Sequence, residues 1–545
     1  MVNIVTKLST AENVALSLYE NKIKYIFGMP GGGSSIDLIE ECTKKGLKFV
    51  LTQHETTAAL MAIVYGQLTN TTGVSLSIMG PGAINLCAGA GYAYWERHSL
   101  ICITETYNSS LYNKMSLQKI NHSELFSTMA KTSIILGDSD AQELVNKAIT
   151  LSSEERPGPI HFDMPHSDAN DSVISYWKSD KDYIKTEKVS SKQLKLIIDT
   201  IESAKFPLLI GGPLVYRNNS ISSFVNLAEH LQCATMVTSK ARGIIPENHP
   251  LFMGIVSGVY DKSTFEGQAI AKSDLIVSIG LDRMELLSPW EHTQPHIIID
   301  KIQNPHEPIG TPKHEIYGDL NEILSKLKSI LTKRNTWNTQ YIKEFWETSL
   351  SKLELNNPTI TATSVIHTIR KLAPKDAILT TEAGIYGRVA LYAWKVFSPN
   401  TYFDSSGANT MGFSIPAALA SCIARPKQRT IALIGDAGFL MRATELEIAT
   451  RLKLHPIIII FTDRTLGMIR VKQSSKKYRR NGVDLSVTNF VKIAESFGGQ
   501  GFVANSIQEF KQHFTTALNN NQLTIIDVQV DPNTYSDHIK FIRGY

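Results

Sequence analysis

The sequence predicts an α/β protein built from three consecutive parallel-sheet segments. Three observations carry this. Short buried apolar runs alternate with helical patterns along the chain. One clear strand–helix–strand unit lies late in the sequence: IALIG (Ile431 to Gly435) ends in Asp436, a helical pattern follows, and PIIIIF (Pro456 to Phe461) ends in Thr462-Asp463. The first and third segments also close alike, with HFDMP near Asp163 and IIDVQVDP near Asp527, which implies similar topology in both.

The first segment runs to about residue 170. It opens with a helix capped near Ser9-Thr10 (STAENVALSLYE), because a hydroxyl there can satisfy the first free amides. The strand YIFGMPG follows. LKFVLT, GVSLSIMG and SLICITE are further strands, separated by helices. ERPGPIHFDMP is a loop feeding a strand, and the polar stretch HSDANDSVISYWKSDKDYIKTEKVSSK looks like a linker. The second segment, about 190 to 330, starts with a helix and the strand PLLIGGP. SDLIVSIGLD and HIIIDK read as further buried strands. LTKRNTWNTQYIKEFWETSLSKLELNNP reads as a helix and a linker. The third segment, about 360 to 545, carries the strand–helix–strand unit. No short-period repeat is present.

Composition bounds the function. A chain of 545 residues holds about three or four domains at 100–200 residues each. The net charge of +4, with many acids present, lacks the imbalance of a dedicated nucleic-acid binder. Cys42, Cys87, Cys102, Cys233 and Cys422 have no metal-binding or redox spacing and read as buried thiols of a reducing compartment. The N-terminus shows no leader pattern, and no apolar run reaches membrane-spanning length. The expectation is a cytoplasmic protein that engages neither membrane nor nucleic acid.

In the third segment a right-handed crossover brings the two strand ends to one edge of a parallel sheet. Asp436 and Asp463 then sit side by side. Two hard oxygen ligands, with Gly435, Gly438 and Gly467 letting backbone approach, suit a divalent metal holding a diphosphate. The competing reading is an ordinary β-α-β unit with capping carboxylates.

This stretch resembles the cofactor fingerprint of thiamine diphosphate (ThDP) enzymes, in which Gly-Asp-Gly is followed about two dozen residues later by Asn-Asn. The resemblance implies that Asp436 binds Mg2+, that Asp463 takes the place of the ligand Asn, and that Thr465 supplies a backbone carbonyl. Ala437 stands where the motif has its second Gly, and Thr462-Asp463 replaces the Asn pair. An Asp is still a hard oxygen donor. Such enzymes need one Glu in an apolar pocket, where desolvation lets it share a proton with the cofactor's pyrimidine. Glu55 in FVLTQHETTAALMAIVYGQ fits; by itself it could equally be a Glu capping a helix N-terminus.

Further segments carry the same resemblance. GMPGGG (Gly28 to Gly33) matches the first active-site loop, so Gly32 and Gly33 are expected at the cofactor. GPGAIN (Gly80 to Asn85) matches the loop after the next strand and adds Pro81 and Asn85. SSGANTMGFSIPAALA matches the region that grips the aminopyrimidine through backbone groups, with Asn409 in place of a Gly, then Thr410 and the wedge residue Met411. Read alone, Met411 is an ordinary core residue. The diphosphate is expected at the helix after Asp436, with backbone donors from Ala437, Gly438, Leu466, Gly467 and Met468. A Gln-His pair usual in the family is replaced by Ile385 and Tyr386, and Arg388 is the candidate to compensate.

The branch most similar holds acetolactate synthases and related 2-oxo acid decarboxylases and carboligases, benzoylformate decarboxylase among them. KARGIIPENHPLFMGI (Lys240 to Ile255) and the Pro-Gly-Pro at 157–159 are shared features. The resemblance implies three doubly wound parallel-sheet domains: a pyrimidine domain at 1–170, a central domain at 190–330 and a diphosphate domain at 360–545. It implies ThDP- and Mg2+-dependent decarboxylation of a 2-oxo acid, with carboligation of the enamine to a second carbonyl. It also implies that Glu55 and Asp436 serve one cofactor from different chains, so a homodimer is the minimum unit and a tetramer is expected.

Some residues depart from acetolactate synthases. Thr106 and Lys119 stand where those enzymes carry Gln and Glu. The alternatives are a simple decarboxylase of a non-pyruvate 2-oxo acid, or a degenerate member that binds ThDP without turnover. The basic run Lys476, Lys477, Arg479 and Arg480 either guides an anionic substrate or is a solvated face. His122 is either a pocket acid–base group or structural. No flavin motif stands out between Ser190 and Ile330, which leaves flavin open. A nicotinamide dehydrogenase is excluded, because GGGSS and LLIGGP lack the GxGxxG spacing and its distal acid.

Overall fold

The computed structural model describes residues 8–137, 140–165, 173–177, 190–259, 261–288, 290, 292–303, 309–354 and 359–543. They form three sheets with helices between the strands. The first contains β1 (Tyr25–Met29), β2 (Lys48–Leu51), β3 (Gly73–Ser77), β4 (Leu100–Thr106), β5 (Thr132–Ile135), β6 (Pro159–Pro165) and β7 (Val173–Trp177), in the order β2-β1-β3-β4-β6-β5-β7. The second contains β8 (Pro207–Gly211), β9 (Ala234–Thr238), β10 (Phe252–Val256), β11 (Leu275–Ile279), β12 (His296–Asp300) and β13 (His314–Tyr317), in the order β10-β9-β8-β11-β12-β13. The third contains β14 (Ile378–Thr380), β15 (Tyr402–Phe403), β16 (Thr430–Gly435), β17 (Ile457–Thr462), β18 (Gln500–Ala504) and β19 (Thr524–Gln529), in the order β15-β14-β16-β17-β19-β18.

The outer sheets share one strand order, apart from β7, which bears out the similar topology inferred from their endings. Central strands such as β4 and β17 are buried along their length, because helices cover both faces of a parallel sheet. In each outer sheet the order reverses between the first and third strands, at β1/β3 and at β14/β16. Crevices at such reversals, outside the carboxyl ends of the strands, are where open α/β sheets take ligands.

Two expectations need correction. Residues 173–177, read as linker, form β7, which pairs antiparallel with β5 and carries the first sheet past residue 170. VISYW is rich in β-branched and aromatic residues, and its polar flanks hid a short edge strand. Residues 190–192 of that linker cap and begin the helix Ser191–Ser203, and its remainder, at 166–172 and 178–189, lies outside the described residues. The helical pattern after Asp436 is also not one helix. It breaks into Asp436–Leu440, a 3-10 turn at Ala443–Glu445, and Leu446–Leu452.

The chain forms two compact units. One holds the first sheet together with residues 415–427 and 442–455; the other holds the second and third sheets. Within the first unit the Gln53 N–H donates to Glu445 Oε2 (3.0 Å), and Arg451 donates to the Leu51 carbonyl (2.6 Å). All five cysteines are buried and none forms a disulfide, and burial pushes the Cys42 and Cys102 thiols up to about 12, which makes them inert. Among the described residues no helix is long and apolar enough to cross a membrane.

Candidate active site

In the first unit, β2 ends just before His54, whose Nδ1 accepts the Thr56 N–H (3.2 Å) and caps the helix Glu55–Thr69. Glu55 is the first residue of that helix and is 7 % exposed. The Asn85 side-chain amide donates to its Oε2 (2.9 Å), while Thr56 Oγ1 donates to the Asn85 carbonyl (2.7 Å). A Cβ on Gly82 would lie 3.1 Å from Glu55 Oε1, so the Gly80–Asn85 segment runs along this carboxylate. Glu55 and Asn85, far apart in sequence, are thus in direct contact. Gly32 is exposed, and a Cβ there would meet nothing within 4 Å. Pro81 is exposed and opens the helix Pro81–Glu96.

Sequence reasoning missed one residue of this half. Glu105, at the end of β4, is 1 % exposed. Its Oε1 accepts the Gly33 and Ser35 amides, each at 3.1 Å, and the Ser35 hydroxyl. The Gly33 amide is therefore already engaged. No local pattern marks such a role, because the partners lie some 70 positions away. Lys119 donates to the Tyr112 carbonyl (2.6 Å) and stacks over the Tyr112 ring, tying it to its own loop.

His122 is 4 % exposed, and both ring nitrogens are engaged: Nδ1 with Asp163 Oδ1 (2.6 Å), and Nε2 with the Gly80 N–H (3.1 Å). His161 lies beside it, and burial pushes that imidazole down to about 4. Burial alone would raise Asp163, but the neighbouring imidazoles and Thr104 hold it low. His122, His161 and Asp163 have metal-ligand proximity among the described residues. Their inward atoms, however, are joined through the Thr104 hydroxyl, 2.8 Å from His161 Nε2 and 2.6 Å from Asp163 Oδ1. That is a closed hydrogen-bonded network rather than a cation site.

In the second unit, β16 and β17 pair in register with Gly435 opposite Phe461, which brings Asp436 beside the 462–465 loop. Asp436 Oδ2 accepts the Arg464 N–H (2.7 Å) and Oδ1 accepts the Ala437 N–H (2.8 Å). Asp463 Oδ1 accepts the Thr465 N–H (2.9 Å), and Tyr535 of the helix Tyr535–Arg543 also bonds Asp463. Burial raises Asp436 and pushes Asp463 up to about 6, with the Asp436 charge adding to the rise. Two neighbouring carboxylates, Asp436 buried and Asp463 half-buried, that repel each other suit a hard cation between them, so the donor set fits a divalent metal.

Gly467 opens the helix Gly467–Ser475, which places its amide and that of Met468 in a first turn, where a helix offers no internal acceptor. Two other expected donors are not free. The Ala437 amide is spent on Asp436, and the Leu466 amide donates to the Val483 carbonyl (2.8 Å). Asn409 holds φ at +48°, the left-handed region a Gly takes easily and Asn tolerates better than most. Arg388, the candidate to compensate for the missing Gln-His pair, donates instead to Asn409 Oδ1. Thr410 accepts the Ala383 N–H at its carbonyl (3.2 Å), and Met411 is half-buried.

Glu382, after β14, was also missed. Its Oε2 accepts the Ser414 N–H (3.1 Å), Tyr386 donates to Oε1 (3.3 Å), and burial pushes the carboxyl up to about 7. The Tyr386 ring stacks on Phe461 with centroids 5.1 Å apart. A Cβ on Gly438 would fall 1.9 Å from Glu382 Oε1. Gly438→Ala is therefore expected to cost about 1–3 kcal/mol. Adding Glu382→Asp, one methylene shorter, should recover most of it. Urea midpoints of the two single variants and the double variant check this; simple additivity would count against the contact.

The second sheet has the strand order of a dinucleotide fold, with its reversal between β8 and β11. Yet the Gly212 N–H donates to the Ile279 carbonyl there (2.9 Å), and a Cβ on Gly212 would meet the Gly280 carbonyl at 2.2 Å. After β10 the Ser257 and Gly258 amides donate to the buried Glu266, and after β9 the Lys240 amide donates to the buried Glu285. These amides are thus bonded within the chain, to the Ile279 carbonyl, Glu266 and Glu285.

Three segments match domains described for one family: residues 8–125 the thiamine pyrophosphate enzyme N-terminal TPP binding domain, 194–327 the central domain, and 382–528 the C-terminal TPP binding domain. The chain is 28 % identical to a probable acetolactate synthase large subunit of Methanocaldococcus jannaschii, covering 96 % of this chain and 92 % of the relative. It is 26 % identical to the acetolactate synthase isozyme 3 large subunit of Escherichia coli, covering 98 % and 96 %. It is 25 % identical to an acetolactate synthase of Bacillus subtilis, covering 97 % and 94 %.

Proposed function

Because the chain belongs to the thiamine pyrophosphate enzyme family and is a ThDP-dependent enzyme, we propose that it is acetolactate synthase-like: it decarboxylates a 2-oxo acid and joins the remaining fragment to a second carbonyl, with Mg2+ as metal. The observation that carries the reading is Glu55, a buried carboxylate at a helix start with Asn85 fixing one oxygen. The full-length likeness to acetolactate synthases supports the reaction class.

ThDP, when bound, would supply a carbon nucleophile for the 2-oxo carbonyl and a sink for the electrons released with CO2. Asp436, Asp463 and the Thr465 carbonyl would hold the metal. The Gly438, Gly467 and Met468 amides would bind the diphosphate, with Gly435 letting the backbone come close. Asn409, Thr410 and Met411 would hold the aminopyrimidine, and Glu55 would share a proton with its ring nitrogen. Gly32, Gly33, Pro81 and Asn85 line the pyrimidine half. Residues 1–170 (extended by β7), 190–330 and 360–545 serve as pyrimidine, central and diphosphate domains. A homodimer is the minimum unit, and buried thiols outside any disulfide support a cytoplasmic setting.

A second reading, decarboxylation of a different 2-oxo acid, rests on Thr106 and Lys119, which stand where acetolactate synthases carry Gln and Glu. The test is CO2 release with ThDP and Mg2+ across a panel of 2-oxo acids, pyruvate included. Release from pyruvate with acetolactate as product is the expected result. Release from another acid would name the second reading. No release from any acid, with ThDP bound, would leave a binding protein and overturn both.

A further inference from the structure

The network around Asp163 has only one consistent arrangement of protons. The Gly80 N–H points at His122 Nε2 (3.1 Å), so that nitrogen must present a lone pair. The ring hydrogen is then on Nδ1 and is donated to Asp163 Oδ1 (2.6 Å). The neighbours agree. Ser133 bonds His161 Nδ1 (2.7 Å), His161 Nε2 bonds Thr104 Oγ1 (2.8 Å), and the Thr104 hydroxyl donates to the same Asp163 oxygen (2.6 Å). Asp163 is the acceptor at the end of each path, and the facing imidazole His161 is held neutral by burial.

Gly80 holds φ at +64° and begins the turn into the helix Pro81–Glu96. That helix presents Asn85 to Glu55 Oε2, and its Gly82 abuts Glu55 Oε1. We infer that His122 is a positioning residue for Glu55: Asp163 locks its tautomer, the lone pair at Nε2 holds the Gly80 amide, and that bond fixes the segment that sets the Glu55 carboxylate. The inference rests on the reading of Glu55 given under Proposed function. His122 is hydrogen-bonded to neither Glu55 nor Asn85 and acts through the Gly80 turn.

The test compares His122→Gln with His122→Asn. The Gln amide oxygen reaches the Nε2 position and can still accept the Gly80 N–H. The Asn amide reaches only the Nδ1 position and keeps the Asp163 contact alone. His122→Asn is expected to lower kcat about tenfold, with KM and the ThDP Kd changed less than about threefold, while His122→Gln retains most of kcat. Crystal structures of both variants without cofactor should show Gly80 displaced and the Asn85–Glu55 bond lengthened only in His122→Asn. Equal kcat in the two variants, or an unmoved Gly80 and Asn85 in His122→Asn, overturns the inference. The crystal readout needs no ThDP, so it decides the role of His122 even if wild-type protein fails to bind ThDP and the functional reading falls.

Discussion

Glu55→Gln is expected to lower turnover about a thousandfold while leaving ThDP binding within a fewfold of wild type, as positioned acid–base groups contribute roughly 100- to 10,000-fold. The substitution keeps size and shape and removes only the ability to give and take a proton. In wild type the Asn85 amide donates to Glu55 Oε2, which fixes that oxygen as an acceptor and leaves Oε1 to share a proton. In the variant the Gln carbonyl will turn to Asn85, and its NH2 will take the place of Oε1. An NH2 donates and cannot return the proton. Calorimetric titration with ThDP and Mg2+, beside steady-state CO2 release, separates the two effects. Retained turnover would remove Glu55 from its proposed role.

Asp436→Asn is expected to abolish the thermal stabilisation by ThDP and Mg2+. At a cofactor concentration of about 100 Kd, wild type should gain about 2.7 kcal/mol. The variant should gain nothing measurable. Asn retains an acceptor for the Arg464 N–H but loses the charge, which also relieves the repulsion that helps push Asp463 up. The Tm without cofactor should therefore match or exceed that of wild type, which distinguishes lost binding from lost folding. Asp463→Asn is the control: it restores the amide expected in the family and should keep most of the binding. A normal cofactor shift in Asp436→Asn would return the motif to an ordinary strand–helix–strand unit.

The parts legible in the sequence were those whose signal is local. IALIG and PIIIIF announce buried parallel strands, and Asp436 and Asp463 follow from where those strands stop. Ser9 announces its capping box, which the structure completes with Glu12. The unread parts depend on partners far away in the chain. His122 looked solitary because Gly80 and Asp163 lie about 40 positions to either side. Glu105 lies at the end of an apolar strand and Glu382 just after one, and both look like ordinary strand-end acids; only the fold shows which amides they hold. The Leu466 amide looked free until the Val483 carbonyl was placed beside it.

The tight approach of Glu382 to Gly438 also constrains how this sequence can vary. An aspartate at position 382 leaves room for alanine or glycine at position 438, whereas beside a glutamate alanine carries the cost of about 1–3 kcal/mol. A lineage moving from the shorter acid to the longer one must lose any methyl at position 438 first, because the opposite order passes through a clash. In a library randomised at both positions, alanine at the second should survive selection only in company with aspartate at the first. The pair would then covary although neither residue need touch the substrate.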